Sequence, residues 1–295
     1  MSLPGYSRFK TRTFLNYLTA YPVNIEELCE QLRVFNGSGE KILIPTFADL
    51  QQASDNARRQ LELAVDNGLR LLVQGEAGFP ARLTAIADPP LLLFARGNLD
   101  ILAQKGLALV GTRTPTPFAT NAAEKLGRKS AELGLIVVSG LALGCDTAAH
   151  RGCLAGQGRT VATLPGGFNN IYPPENRELA EEIVAQGGCL LSEYLPEAQP
   201  QAAYFVERDR LQVALSEAVL VIETEKTGGT MHTARFCLEQ AKPLACIVPP
   251  SDLASHPNAE GNRLLIEQGA IALKTVEEAE AFIGQCLEPD DKISA

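Results

Sequence analysis

The stretch VVSGLALGCDTAAHRG, residues 137–152, decides the fold. A β-branched run stops at Ser139 and Gly140. Gly144 follows, and Cys145-Asp146 then opens a segment of helical composition. A buried strand that turns through glycines into a helix is the unit of a parallel sheet. The pattern recurs along the chain. GLALVG (106–111), LIVVSG (135–140), TVATLPGG (160–167), CLLSEY (189–194), AVLVIETE (218–225) and LACIVPP (244–250) are apolar, β-rich runs. Helical segments separate them, at 119–133, 145–156, 174–186, 209–217 and 230–241. This alternation predicts an α/β protein with a doubly wound, mostly parallel sheet.

Residues 1–74 read as a mostly helical N-terminal region. TFLNYLTAY (13–21), IEELCEQLRVF (25–35) and the segment 47–68 have helical spacing, and LRLLVQ (69–74) is a strand candidate. The sheet domain is expected over 75–275, and 276–295 reads as an acidic C-terminal tail. No apolar run reaches the roughly 18 residues of a membrane span. The N-terminus has no apolar segment with a cleavage site, so no signal peptide is expected. Seven cysteines without a C-x-x-C pair suggest reduced, buried thiols and a cytoplasmic protein. Three separated histidines give no zinc site, and no cofactor is expected. Net charge is −9, yet residues 105–177 carry eight basic residues against four acidic ones, and local fields decide whether phosphate is attracted.

In open parallel sheets ligands bind at the carboxyl ends of the strands. The first end is Gly111-Thr112-Arg113: backbone access, a hydroxyl and a guanidinium suited to phosphate. At the second, Ser139, Gly140 and Gly144 make a turn, Asp146 is expected to cap the helix, and the helix start is expected to hold an anion beside Arg151. His150 belongs to no triad, because separations of seven residues from Ser139 to Asp146 and four from Asp146 to His150 build none, so it reads as a packing histidine. The third end, LPGGFNNIYPPENRE, presents Gly166, Gly167 and Asn176. The fourth reads as a long proline-containing loop (190–210) with Tyr204 and Phe205 beside Arg208 and Arg210. Aromatics interleaved with arginines suit a single strand whose bases stack and whose phosphates are neutralised. The fifth presents Lys226, Gly228, Gly229 and Thr230 before a helix. Several glycine-rich turns with arginines on one sheet edge point to a polyanion.

VGTRTPTPFA (110–119), the stretch 137–152, TVATLPGGFNNIYPPENREL (160–179), LLSEY (190–194) and TGGTMHTA (227–234), in that order, resemble the DprA/Smf family of DNA-processing proteins. FPARLTAIADPPLLLFARGN (79–98) resembles that family's lead-in segment. The resemblance runs from about Gly78 to Gly269. It implies a Rossmann-like domain that binds single-stranded DNA, forms a homodimer, loads the RecA recombinase in natural transformation, and is not an enzyme. Divergent relatives act in phage defence, including as antitoxins to a cognate toxin. The family's DNA-contacting Gly-Ser-Arg loop falls on Gly111-Thr112-Arg113. Its F-P-x-R-N-R-I-I-A-G-L-S segment falls on residues 205–216, where both arginines are kept and Asp209 replaces asparagine. Two alternatives are a nucleotide-sensing or antitoxin protein and a phosphoribohydrolase-like enzyme. The second needs P-G-G-x-G-T-x-x-E, and here Asn169-Asn170 follow Pro165-Gly166-Gly167-Phe168.

Overall fold

The computed structural model describes residues 8–18, 22–37 and 44–288. The chain forms two compact units, Met1–Leu69 and Arg70–Ala295. The first holds α1 (Arg8–Tyr17), α2 (Ile25–Gly37) and α3 (Phe47–Asp66). Thr46 and Asp49 cap the start of α3 reciprocally, each side chain accepting from the other's backbone N–H. Phe14, Leu32, Phe35 and Leu50 make a small core of their own. Residues 19–21 of the expected first helix lie outside the described residues.

The second unit is built on one sheet. Its strands are β1 (Arg70–Val73), β2 (Leu92–Gly97), β3 (Gly106–Val110), β4 (Ile136–Ser139), β5 (Thr160–Thr163), β6 (Cys189–Ser192), β7 (Ala218–Val221), β8 (Leu244–Ile247) and β9 (Ile271–Leu273). They lie in the order β1-β2-β6-β5-β4-β3-β7-β8-β9. From β6 to β9 all pairs are parallel, and β2 and β1 extend that edge antiparallel. The chain starts the parallel part at β3, steps one way through β4 and β5 to β6, then returns to β7 on the other side of β3. That reversal is the switch point of a doubly wound sheet.

The connecting helices are α4 (Ala81–Thr84), α5 (Pro117–Glu132), α6 (Cys145–Ala155), α7 (Arg177–Ala185), α8 (Ala202–Ala214), α9 (Thr230–Glu239), α10 (Glu260–Glu267) and α11 (Val276–Gln285). Alternate residues of β3 serve opposite layers, as the strand period of two requires. Leu107 and Leu109 pack with Ala119 and Ala123 of α5, Ala149 of α6 and Phe282 of α11. Ala108 and Val110 pack with Val213 of α8, Ala234 of α9 and Leu265 of α10.

Three expectations need correction. The strand at 70–73 belongs to the sheet, so the division falls at Leu69 and not at 74. Residues 276–285 are not a tail: α11 buries Ala279, Phe282 and Ile283 in the core while its glutamates Glu277, Glu278 and Glu280 stay outside. The segment 190–210 is not all loop, because α8 begins at Ala202. Residues 208–214 of α8 are all buried, so the helix shows no polar stripe by which its period could be read.

Candidate nucleic-acid interface

A cleft of about 440 Å³ opens at the carboxyl ends of β3, β4 and β7, at the switch point. Gly111, Thr112, Arg113 and Thr114 form one wall, and Ala142 and Asp146 continue it. Phe205, Arg208, Asp209 and Gln212 of α8 face them. Thr224 and Glu225 after β7, then Gly228, Gly229, Thr230 and Thr233 at the start of α9, close the third side. Gly229 precedes α9, and no side chain caps that helix start. Amides at such a start attract anions.

The turn after β4 departs from expectation. Asp146 does not cap α6. Its carboxylate reaches back to accept from Gly140 N (3.0 Å) and Ala142 N (3.3 Å). At the helix start itself Cys145 N donates to Thr112 O and Thr147 N to Ala142 O, so the protein's own oxygens take amides that the sequence reading offered to a phosphate. Gly144 has φ +80°, and a Cβ there would lie 2.4 Å from Thr112 O, so only glycine lets the two loops touch. A Cβ on Gly140 would meet the Arg208 guanidinium at 1.4 Å. Gly140 therefore admits Arg208, which lies across it, donates to Thr163 O (3.1 Å) and pairs with Asp209 (Nε to Oδ1, 3.1 Å).

Of the two arginines on α8, Arg208 lines the cleft although only 5% exposed. Arg210 does not line it. Its guanidinium grips Glu193 with two bonds, at 2.5 and 2.8 Å, and also donates to Asp88 O. Buried and committed, Arg210 ties α8 to the loop after β6 and has no donor fork to turn toward a phosphate. Tyr204 stacks on Tyr194 with centroids 3.8 Å apart and is not among the cleft walls.

The loop carrying Arg113 is braced from beneath. Buried Glu223, just past β7, accepts from Thr116 N and from Thr116 Oγ1, both at 2.8 Å, and from Asn258 Nδ2 at 3.3 Å. Its carbonyl accepts from Thr112 N (2.7 Å), while Asn258 also donates to Thr114 O (2.8 Å). This brace is not legible in the sequence, since Glu223 and Asn258 are far from the loop along the chain. On that support Arg113 stays exposed and lies over the Phe205 ring, 4.9 Å from its centroid. Phe205 meets Tyr172 edge-on at 5.5 Å. A second recess of about 120 Å³ opens there, walled by Arg113, Leu143, Tyr172 and Phe205. Tyr172 and Leu143 are exposed.

Other expected residues lie apart. Ser139 is fully buried and donates to Leu109 O. Asn176 is buried and donates to Leu141 O and Thr147 Oγ1. Gly166 and Gly167 are buried beneath the 195–200 loop, tied by Gly167 N to Ala198 O and Ser192 Oγ to Gly166 O. These four are structural in position. Arg151 and Lys226 are exposed on α6 and on the turn before α9, outside the cleft walls. His150 is fully buried. Thr160 Oγ1 gives its proton to Val137 O, so His150 Nδ1 donates to Thr160 Oγ1 at 2.7 Å. Burial pushes the imidazole down to about pKa 3, and it stays neutral.

Charge within the cleft is mixed. Its walls hold Arg113 and Arg208 with Asp146, Asp209 and Glu225. Burial pushes the Asp209 carboxyl up to about pKa 7 against the pull of Arg208, and it raises Asp146 as well. All seven cysteines are free and buried, and burial pushes Cys153 and Cys189 up to about 12, which leaves them unreactive thiols. Among the described residues no helix is long and apolar enough to cross a membrane.

Sheet order, crossovers and a cleft at the reversal define a Rossmann-like α/β protein. Residues 70–284 match the profile of DNA recombination-mediator protein A, and the chain belongs to that family. It is 34% identical over 231 residues to the DNA processing protein DprA of Bacillus subtilis, covering 78% of this chain and 76% of that one. Protein Smf of Synechocystis is 34% identical over 252 residues, which span 84% of this chain and 62% of Smf. The solved structure of DNA processing protein A from Helicobacter pylori, described for its single-stranded DNA binding mode, matches with a TM-score of 0.65 and 30% identity. That match covers 74% of this chain and 95% of the other.

Proposed function

We propose that this protein binds single-stranded DNA, without turnover, through the cleft and the aromatic recess beside it. The observation that carries the reading is Arg113 over Phe205 at the junction of the two hollows. An exposed guanidinium there neutralises a phosphate, while Phe205 and Tyr172 offer faces and edges to unstacked bases. Both hollows are too narrow to seat a duplex, and stacking needs bases free of a partner strand. The Helicobacter pylori relative supports the same ligand. The family match supports recombination as the process served.

The test is a fluorescence-anisotropy titration against single strand and duplex over a range of salt. Single strand should bind more tightly, with affinity falling as salt rises. Arg113→Ala should weaken binding and lower the log–log salt slope by about 0.7, the share of one phosphate contact. Its melting temperature should hold. Arg210→Ala should do the reverse, losing about 3–5 kcal/mol of stability by breaking the buried pair with Glu193. Equal affinity for duplex and single strand, or an Arg113→Ala variant that binds like the parent, overturns the reading.

A further inference from the structure

The deep end of the cleft differs from its rim. Arg113 and the start of α9 are at the rim. Deeper, Asp209 presents a carboxylate whose Oδ1 accepts from Gln212 Nε2 (3.0 Å) and is ion-paired with Arg208, and Thr233 donates to the same group. Gln212 is 1% exposed and lines the cleft, and its Oε1 is buried without a partner among the described residues. A buried acceptor without a donor is costly. With Asp146 and Glu225 also in the walls, three carboxylates oppose two arginines. A phosphate placed this deep would meet like charge. A group that donates hydrogen bonds would instead supply what the Gln212 amide lacks and what the carboxylate accepts.

We infer that the Asp209–Gln212 end of the cleft reads a base rather than a phosphate, and selects one whose edge donates an exocyclic amine. The inference rests on the single-strand reading above and adds a base preference to it. Cytosine is the simplest such base: its N4 amine donates where uracil has the O4 acceptor, and the two rings are of one size. A carboxylate accepting from cytosine N4 is an established pairing. The volume of about 440 Å³ suits one nucleotide, near the low end of small-ligand pockets. The phosphate would then stay at the rim with Arg113, and the base would point inward.

The experiment compares oligo(dC) with oligo(dU) of equal length by anisotropy, at pH 8 and fixed salt, using the full chain. Oligo(dC) should bind about tenfold more tightly, the discrimination of one good base contact. Asp209→Asn turns a pure acceptor into a group that can also donate to O4, and should shrink the ratio to within about twofold. The parent comparison needs no variant, so it stands even if Asp209→Asn folds poorly. Equal, salt-sensitive binding of both oligomers by the parent overturns the base-reading inference and leaves the single-strand reading intact. Binding of neither at low salt overturns both. A preference for oligo(dC) that survives unchanged in a folded Asp209→Asn protein assigns the selection elsewhere and also overturns it.

Discussion

At the scale of the residue, Asp209 couples ligand binding to pH. The groups facing it are Arg208 and Gln212 on its own helix, Asp146 from α6, Thr233 from α9 and Arg113 across the cleft. Burial is the largest influence and pushes the carboxyl up to about 7, far above its usual 3.8. Below pH 7 the group is neutral, so the cleft loses a negative charge next to both arginines. Affinity for a strand that gives Asp209 no donor, such as oligo(dU), should therefore rise as pH falls from 8 to 6, and the preference for oligo(dC) should narrow over the same range. If the bound strand raises the carboxyl by about one further unit, the gain over that range is about fivefold. The stability sign is the same. With a folded-state pKa above the unfolded one, the contribution of Asp209 is complete below about pH 3.8 and is lost as pH rises through about 7. Asp209→Asn should flatten both profiles between pH 6 and 8. His150 is held neutral at about pKa 3 and takes no part over that range. A steep affinity profile that persists in Asp209→Asn would move the titrating group elsewhere.

At the scale of the element, the loop between β3 and α5 is held in place for Arg113 by Glu223 and Asn258. Glu223→Ala would strip Thr116 N–H, Thr116 Oγ1–H and Asn258 of an acceptor in a buried place. Each orphaned group costs about 1–3 kcal/mol. The loss of single-strand affinity should exceed that of Ser130→Ala, an equally buried change on α5 that only removes a bond to Leu126 O. If the two variants lose stability and both keep parental affinity, the brace does not position the loop. Elements of this kind differ in how far the sequence reveals them. β3 to β8 are continuous apolar runs buried on both faces, and such runs announce themselves. The glycine turns announce themselves too, but not what fills them: Asp146 saturates the turn amides at Gly140 and Ala142, and only the folded geometry shows it. α8 hides because its second half, residues 208–214, is buried all round. α11 hides for the opposite reason. Ala279, Phe282, Ile283 and Cys286 keep helical spacing, but Glu277, Glu278 and Glu280 dominate the composition of the first turns.

At the scale of the whole molecule, that last helix distinguishes a tail from a structural layer. A solvated acidic tail can be removed at little cost. α11 instead covers the β3–β4 side of the sheet: Phe282 is 4% exposed, Ile283 is fully buried, and both share a core with Leu107, Leu109 and Val137. Lys129 on α5 reaches Glu280 at 2.9 Å, an exposed pair that adds little. Full burial of a large apolar side chain is worth about 1.5–3 kcal/mol. Losing Phe282 and Ile283 with their smaller neighbours would remove an amount comparable with the whole net stability of a domain, about 5–15 kcal/mol. A chain ended at Lys274 should therefore lose its cooperative thermal transition, bind hydrophobic dyes, and aggregate, even though every cleft residue is still present. Single-strand binding should disappear with the fold and not through any lost contact. The substitution Phe282→Ala separates the two explanations: it should lower stability by about 3–5 kcal/mol while the protein that remains folded binds DNA with parental affinity. A Lys274-terminated chain that melts like the parent would return 276–285 to the status of a tail.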